Sequence, residues 1–344
     1  MTPAKELDLA VLIGRFQPIH LGHLGLLEAA LGLAPRAVVV LGSAGGARLV
    51  KNPFTETERI ETIRASLTPE QRSRVSFLTL RDYYDEPRWA RALKAAVARE
   101  CQGQGQVGLV GFRKDESSSY LSLFPEWSEH ALPRQAPIDG TELRRLYFAS
   151  GHAALPAELL AAVPQAVAQF LNDFKASAEF ERLREELAAL DANRAQYGSG
   201  PFVTVDALVT LGERVLLVQR GRAPGKGLWA LPGGFLEGSE RLLSAAIREL
   251  LEETKLTCSD AELRAAFQAV AVFDHPQRSQ RGRTITHAHR FNLTPGNRTL
   301  PSVEGADDAQ AARWFDVAQL PSMTRELFED HYQIIDHFLA IASD

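Results

Sequence analysis

The 344-residue sequence predicts an α/β protein of two domains, the first built on a parallel sheet and the second on a mixed sheet. Three observations carry this reading. Apolar runs alternate with helical patterns through the first half, which implies crossover units between parallel strands. The stretch "QYGSGP" (196–201) has the glycine, serine and proline of a break. Beyond it, "FVTVDALVTL" and "RVLLVQR" are β-branched runs joined by "GE", the pattern of a hairpin. The expected organisation is a first domain at 1–190, a linker at 191–200 and a second domain at 201–344.

In order along the chain, "LAVLIG" (9–14), "AVVVLGS" (37–43), "VSFLTLRD" (75–82) and "QVGLVGF" (106–112) are apolar enough to be buried strands. Between them "LGHLGLLEAALGL" (21–33), "TETERIETIRASL" (55–67) and "RWARALKAAVARE" (88–100) have helical spacing. Pro156 and Pro164 each stand where a helix can begin, and the charged stretch "FKASAEFERLREELAALDANR" (174–194) closes the first domain as a helix. In a parallel sheet, ligands bind beyond the carboxyl ends of the strands, which directs attention to residues 14–23.

Composition narrows the function classes. With 45% hydrophobic and 24% charged residues the chain has the make-up of an ordinary globular protein. A net charge of -5 argues against non-specific nucleic-acid binding, so any phosphate chemistry is local. Cys101 and Cys258 are the only cysteines, too few for a disulfide framework, and fit a reducing cytoplasm. The N-terminal "MTPAKELDLA" lacks the apolar core of a signal peptide, and no apolar run reaches the roughly 18 residues of a membrane span, so no membrane partner is expected. Oligomeric state is open, and a homo-oligomer is compatible with the sequence.

The stretch "GRFQPIHLGH" (14–23) gathers donors where a strand stops and a helix starts. A helix beginning near His20 offers unpaired N–H groups and partial positive charge, an anion site. His20 and His23, at i and i+3, share a face of its first turn, and Gly14 and Gly22 allow the backbone to approach a ligand. Further on, "DGTELRR" (139–145) reads as a loop and a helix, with Thr141 at the N-cap position and Arg144 behind it.

His20-Leu21-Gly22-His23 is the HxGH signature, and residues 8–175 resemble the nucleotidyltransferase superfamily, more narrowly its archaeal-type nicotinamide mononucleotide (NMN) adenylyltransferases. "NPFTETER" (52–59), "DYYDEPRW" (82–89), "GFRKDESSSYLSLFPEW" (111–127) and "IDGTELRRLY" (138–147) follow in the order of that family. The resemblance implies a Rossmann-like fold and attack of the NMN phosphate on the α-phosphorus of ATP, giving NAD and pyrophosphate. By the same resemblance Gly14, Arg15, Phe16, His20, His23, Asn52, Lys114, Asp115, Thr141 and Arg144 serve ATP and NMN, with Mg²⁺ or Mn²⁺ on the ATP oxygens. Trp89 is the candidate platform for the nicotinamide ring, with core packing as the alternative. The family usually has serine where this chain has Asp139 and asparagine where it has Asp85.

In the second half, "GGFLEGSERLLSAAIRELLEETKL" (233–256) places Glu249, Glu252 and Glu253 at i, i+3 and i+4, so a helix puts three carboxylates on one face. Alternation with Ile247, Leu250 and Leu251 half-buries that helix, and its acids need compensation that a hard divalent cation supplies. Arg248 stands i to i+4 from Glu252 and can hold one carboxylate. The positions Gly234, Glu240, Arg248, Glu249, Leu250, Glu252 and Glu253 are those of the Nudix box, and the half resembles the Nudix partner of bifunctional NMN adenylyltransferase/Nudix proteins, an α/β/α sandwich. That resemblance implies Mg²⁺ or Mn²⁺ held by Gly233, Glu249, Glu252 and Glu253, with Glu249 and Glu253 catalytic, and hydrolysis of ADP-ribose to AMP and ribose 5-phosphate. The usual glycine after the glutamate pair is here Lys255. Arg278, Arg281 and Arg283 are read as an anion-binding loop for ADP-ribose, or else a plain exposed basic loop, and Trp229 as a base platform or a packed side chain. His287 and His289 face the same way in a strand without the partners a zinc site needs. The rival reading makes the Nudix half a non-catalytic ADP-ribose sensor that regulates the transferase.

Overall fold

A computed structural model describes residues 7–101, 105–112, 123–132, 139–293 and 300–341. The chain separates into two compact units, Met1–Arg184 and Glu185–Asp344. The first unit contains β1 (Leu9–Gly14), α1 (Leu21–Leu33), β2 (Arg36–Leu41), α2 (Glu56–Ala65), α3 (Pro69–Arg74), β3 (Val75–Thr79), α4 (Glu86–Glu100), β4 (Val107–Gly111), β5 (Ser128–Ala131), α5 (Gly140–Ala149), α6 (Ala157–Ala162) and α7 (Gln165–Phe174). Its strands form one sheet in the order β3-β2-β1-β4-β5 with every pairing parallel. This is the expected parallel sheet with one addition: β5 has the sequence "SEHA", short and polar, with no apolar run to announce it. Leu9, Val11, Val38, Val40 and Leu109 point from alternate strand positions onto Leu93 and Val97 of α4, which fixes the sheet's face.

Helix α8 (Ala178–Tyr197) continues across the boundary between the units. The segment 191–200, expected as a linker, is therefore helical through Tyr197, and only the turn at Gly198–Gly200 is irregular. Leu183, Glu186 and Leu190, at i, i+3 and i+7, are buried along one face of α8, so helical periodicity outruns the polar composition that signalled a break.

The second unit contains β6 (Phe202–Leu211), β7 (Arg214–Arg220), β8 (Trp229–Ala230), β9 (Gly233–Phe235), α9 (Leu242–Thr254), α10 (Asp260–Ala266), β10 (Phe267–Phe273), β11 (Thr284–Asn292), β12 (Ala309–Asp316) and α11 (His331–Leu339). Its mixed sheet runs β10-β11-β6-β7-β12, with β8 on β7 and β9 on β6, and β11 pairs parallel to β6 while β10, β7, β8, β9 and β12 pair antiparallel to their neighbours. Side-chain alternation along β6 divides the core: Val205, Ala207 and Val209 pack with Ile247 and Leu250 of α9, whereas Leu208 packs with Ile334 and Ile335 of α11. The result is an α/β/α sandwich. Among the described residues, no helix is long and apolar enough to cross a membrane.

Candidate active sites of the two halves

In the first unit the carboxyl ends of β1 and β4 and the N-termini of α1 and α5 enclose a cavity of about 260 Å³ lined by Gly14, Arg15, Phe16, His20, His23, Thr141 and Arg144, among others. His20 is the N-cap of α1 and is buried. Its ring stacks on that of His23 with centroids 3.6 Å apart, and its backbone N–H donates to His23 Nδ1 at 3.4 Å. Gly22 makes this possible, since a Cβ there would lie 3.1 Å from His20 Nδ1; Gly14 likewise leaves room for the Phe16 ring. The space the two glycines leave is filled by neighbouring side chains of the site, where the sequence had pointed to a ligand.

Arg144 is 8% exposed and donates to the Gln17 carbonyl at 2.8 Å and to Thr141 Oγ1 at 3.2 Å. Burial, and secondarily the neighbouring Arg15, push its pKa down to about 10, with Asp139 opposing. Arg15 and Arg144 both line the cavity, with the Asp139 carboxylate beside them, and two cations there favour an anionic guest. Asp139, not Thr141, caps α5: its carboxylate accepts from the Thr141 backbone N–H at 2.6 Å. Asp85 has the same office on α4, accepting from Arg88 N–H at 2.8 Å. Both departures from the family pattern are thus helix caps, a task that serine, asparagine and aspartate share.

The other residues expected on this half lie elsewhere or outside the described residues. Asn52 exchanges backbone hydrogen bonds with Leu49 in a tight turn and does not line the cavity. Trp89, partly buried, packs edge-on against Phe124 at 5.8 Å beside the sheet core. Lys114 and Asp115 lie outside the described residues.

In the second unit the acidic face of α9 meets β9. The Gly233 N–H donates to Glu253 Oε2 at 3.0 Å, and Glu253 is 8% exposed. Burial, opposed by that hydrogen bond and reinforced by Glu249, pushes the Glu253 carboxyl up to about 8. Burial also raises Glu249. Arg248 joins three acids: Glu240 at 2.7 Å, Glu249 at 3.0 Å and Glu252 at 3.0 Å, two more than its spacing foretold. Its own pKa is raised, first by Glu240. A Cβ on Gly234 would fall 2.4 Å from Glu249 Oε1, and one on Gly233 would fall 2.2 Å from the Val205 carbonyl oxygen, so α9 and β6 approach β9 too closely for any side chain. Among the described residues, no three histidine, cysteine or acidic side chains converge as a ready metal cage. Two carboxyls held above their ordinary values by burial and by neighbouring acids nevertheless fit a divalent cation, whose charge is the compensation they lack.

Lys255 ends α9 in the left-handed conformation at φ 46°, the place a glycine takes without strain, and its ammonium pairs with Glu304 at 2.7 Å. The other residues expected at this site take the following places. Arg278, in the loop between β10 and β11, forms a bidentate pair with Asp330 at 2.8 Å and 2.8 Å, buried to 4% and 1% side-chain exposure. Trp229 is core, edge-on to Phe315 at 4.7 Å. Arg283 bonds the Asp274 carbonyl. Arg281 alone of the three stays over an exposed aromatic, with its guanidinium 5.5 Å from the Phe235 ring centre.

Sequence reasoning missed Arg220 at the end of β7. Its guanidinium lies 4.3 Å over the Phe328 ring, and burial, then the nearby Arg281, hold its pKa low against the pull of Glu329 and Glu253. A polar residue closing an apolar strand was the available signal. Also missed was Asp206, buried in β6, which accepts from Thr286 Oγ1 at 2.5 Å beneath Gly233.

Fold and sites together define an HxGH-type nucleotidyltransferase half joined to a Nudix half, and the comparisons agree. Residues 11–98 match the cytidylyltransferase-like family and 200–338 the NUDIX domain. A nicotinamide/nicotinic acid mononucleotide adenylyltransferase of Acinetobacter baylyi is 34% identical over 55% of this chain and 97% of its own. An ADP-ribose pyrophosphatase of Methanocaldococcus jannaschii is 33% identical over 40% of this chain and 73% of its own. The crystal structure of a bifunctional NMN adenylyltransferase/ADP-ribose pyrophosphatase from Francisella tularensis superposes with a TM-score of 0.89 at 32% identity, covering 97% of this chain and 99% of that one. The same Francisella protein complexed with AMP and a manganese ion gives 0.88, again at 32% identity and over 97% and 99% of the two chains. The chain belongs to the family of bifunctional NMN adenylyltransferase/ADP-ribose pyrophosphatases.

Proposed function

We propose that this chain makes NAD and pyrophosphate from ATP and NMN in its first half and hydrolyses ADP-ribose to AMP and ribose 5-phosphate in its second. The observation that carries the reading is the coexistence of two opposite electrostatic designs, a cation-lined cavity at the rim of one sheet and a crowded acid face beside the other.

In the first half the reacting groups are both polyanions, so repulsion is the obstacle and positioning the remedy. Arg15 and Arg144 neutralise phosphate oxygens, His20 and His23 donate to them from the first turn of α1, and Thr141 orients Arg144. An NMN phosphate oxygen forms a bond to the α-phosphorus of ATP as the bond to pyrophosphate breaks, and no covalent enzyme intermediate is required.

In the second half Glu249, Glu252, Glu253 and the Gly233 carbonyl would hold Mg²⁺ or Mn²⁺, which when bound neutralises the diphosphate and lowers the pKa of water. Gly233 N–H orients Glu253, and Arg248 orients Glu249 and Glu252. Arg281 and Arg220 stand where they can meet substrate anions. The three acids of the Nudix helix are intact, which supports hydrolysis over a sensing role. Nucleotide substrates, and Cys101 and Cys258 that form no disulfide among the described residues, both accord with a cytoplasmic location. Chromatography of products after separate incubations with ATP plus NMN and with ADP-ribose, each with Mg²⁺ and with Mn²⁺, tests the reading: NAD in the first and AMP in the second are expected, and absence of either removes that half of it.

A further inference from the structure

The motif "NPFTETER" matched the family without receiving a role for its last residue. Arg59, on α2, is 2% exposed, and among the described residues it is one of the largest fully buried side chains. Its Nη1 donates to two carbonyls at once, Arg15 at 2.8 Å and Gly42 at 2.8 Å, while Nε reaches the Thr55 carbonyl at 3.4 Å. Arg15 and Gly42 are the first residues beyond β1 and β2, so one guanidinium ties together the exits of both strands. A backbone bond from Gly42 N–H to the Gly14 carbonyl, 2.9 Å, closes the same junction.

We propose that Arg59 is a positioning residue for adenylyl transfer, fixing the β1 exit turn that presents Arg15, Phe16 and His23 to the cavity. The inference rests on the reading of the first half as an adenylyltransferase. Fixing the Arg15 carbonyl fixes the peptide plane that leads into Phe16, which adopts a left-handed conformation at φ 50°. That conformation folds the Phe16 ring back against Gly14 and sets it edge-to-face, centroids 4.8 Å apart, with the His23 ring, which in turn stacks on His20. A second tether lies beside the first: the Gln17 side chain donates to the Phe54 carbonyl at 2.8 Å and accepts from the Phe54 N–H at 3.0 Å. The segment is itself anchored, since Thr55 caps α2 and Glu58 pairs with Arg48 at 2.6 Å. Residues 54–59 thus splint the turn from below while the phosphate-binding groups stand above it. A buried guanidinium hydrogen-bonded to carbonyl oxygens is a demanding arrangement; here Nη1 and Nε hold three carbonyls from one rigid plane, which a lysine ammonium on its flexible stem does not reproduce.

The test uses the full chain. Wild-type protein first establishes NAD formation; if it makes none, the functional reading fails and the role of Arg59 in it falls for that separate reason. With activity established, Arg59→Met is expected to lower kcat for NAD formation by about 10²-fold, the scale of an ångström-level misplacement, with KM for ATP changed by less than about threefold. Arg59→Lys, which keeps the charge but not the fork, is expected to remain folded and lose about tenfold in kcat. ADP-ribose hydrolysis per chain should be unchanged in both, and kcat is normalised to the folded fraction from thermal melts. A lysine variant with wild-type kcat overturns the proposal, and so does one that fails to fold, because Arg59 would then serve stability and not position.

Discussion

Replacing Gly234 and Gly233 by alanine separates a site effect from a folding effect at adjacent residues. In Gly234→Ala the new methyl falls 2.4 Å from Glu249 Oε1 and 2.6 Å from its Cδ. Those atoms end a flexible side chain, so the carboxylate retreats by about 1 Å to ordinary contact distance and the fold stays. The retreat strains the 3.0 Å bond to Arg248, a loss of about 1 kcal/mol or a fall of roughly 2–4 °C in melting temperature, while an ångström of misplacement lowers the hydrolytic kcat by about 10²-fold. In Gly233→Ala the methyl meets the Val205 carbonyl oxygen at 2.2 Å, backbone of a central strand that cannot move aside. That variant should lose several times more stability, about 3 kcal/mol or above. AMP release from ADP-ribose and differential scanning calorimetry measure both, with NAD formation as the control. A Gly234→Ala protein that hydrolyses ADP-ribose at the wild-type rate, or that melts as early as Gly233→Ala, would refute the reasoning.

Other outcomes follow from the same geometry. Arg278→Ala or Asp330→Ala strands a buried charge and should destabilise the second half by about 3–5 kcal/mol in urea melts, whereas the double change Arg278→Met with Asp330→Leu should recover most of that loss. In metal-free protein the folded Glu253 carboxyl titrates near 8, above its ordinary 4.5, so the fold takes up a proton that the unfolded chain releases. Stability from this group is therefore full below pH 4.5 and declines as pH rises through 8, and Glu253→Gln should flatten that decline in melts between pH 5 and 8.5. Mg²⁺ at a concentration well above its Kd should raise the melting temperature of wild type at pH 7.5 and not that of Glu253→Gln. Trp229→Phe should leave KM for ADP-ribose within about twofold because the ring is core, and a tenfold rise would return it to the substrate.

Much of each site was legible because its chemistry is local in sequence. His20 and His23 sit in one helical turn, and Glu249, Glu252 and Glu253 on one helical face, so spacing alone brings them together. Legibility ended where a partner is distant. Arg278 looks like a loop cation until Asp330, 52 positions later, closes on it. Trp89 and Trp229 have aromatic neighbours only in three dimensions, and Arg59 shows its carbonyl partners only once two strand ends lie side by side. The cap of α5 was misplaced by two residues because Asp139 and Thr141 are both good caps, and loop geometry decides between them. Strand β5 is held at the sheet's edge by pairing with β4, which a four-residue polar sequence cannot advertise.

The most direct measurement assays both reactions on His23→Ala and Glu253→Gln in the full chain. The account predicts that His23→Ala loses NAD formation by at least about 10²-fold and keeps ADP-ribose hydrolysis, and that Glu253→Gln shows the reverse. Parallel loss of both activities in either folded variant would contradict it.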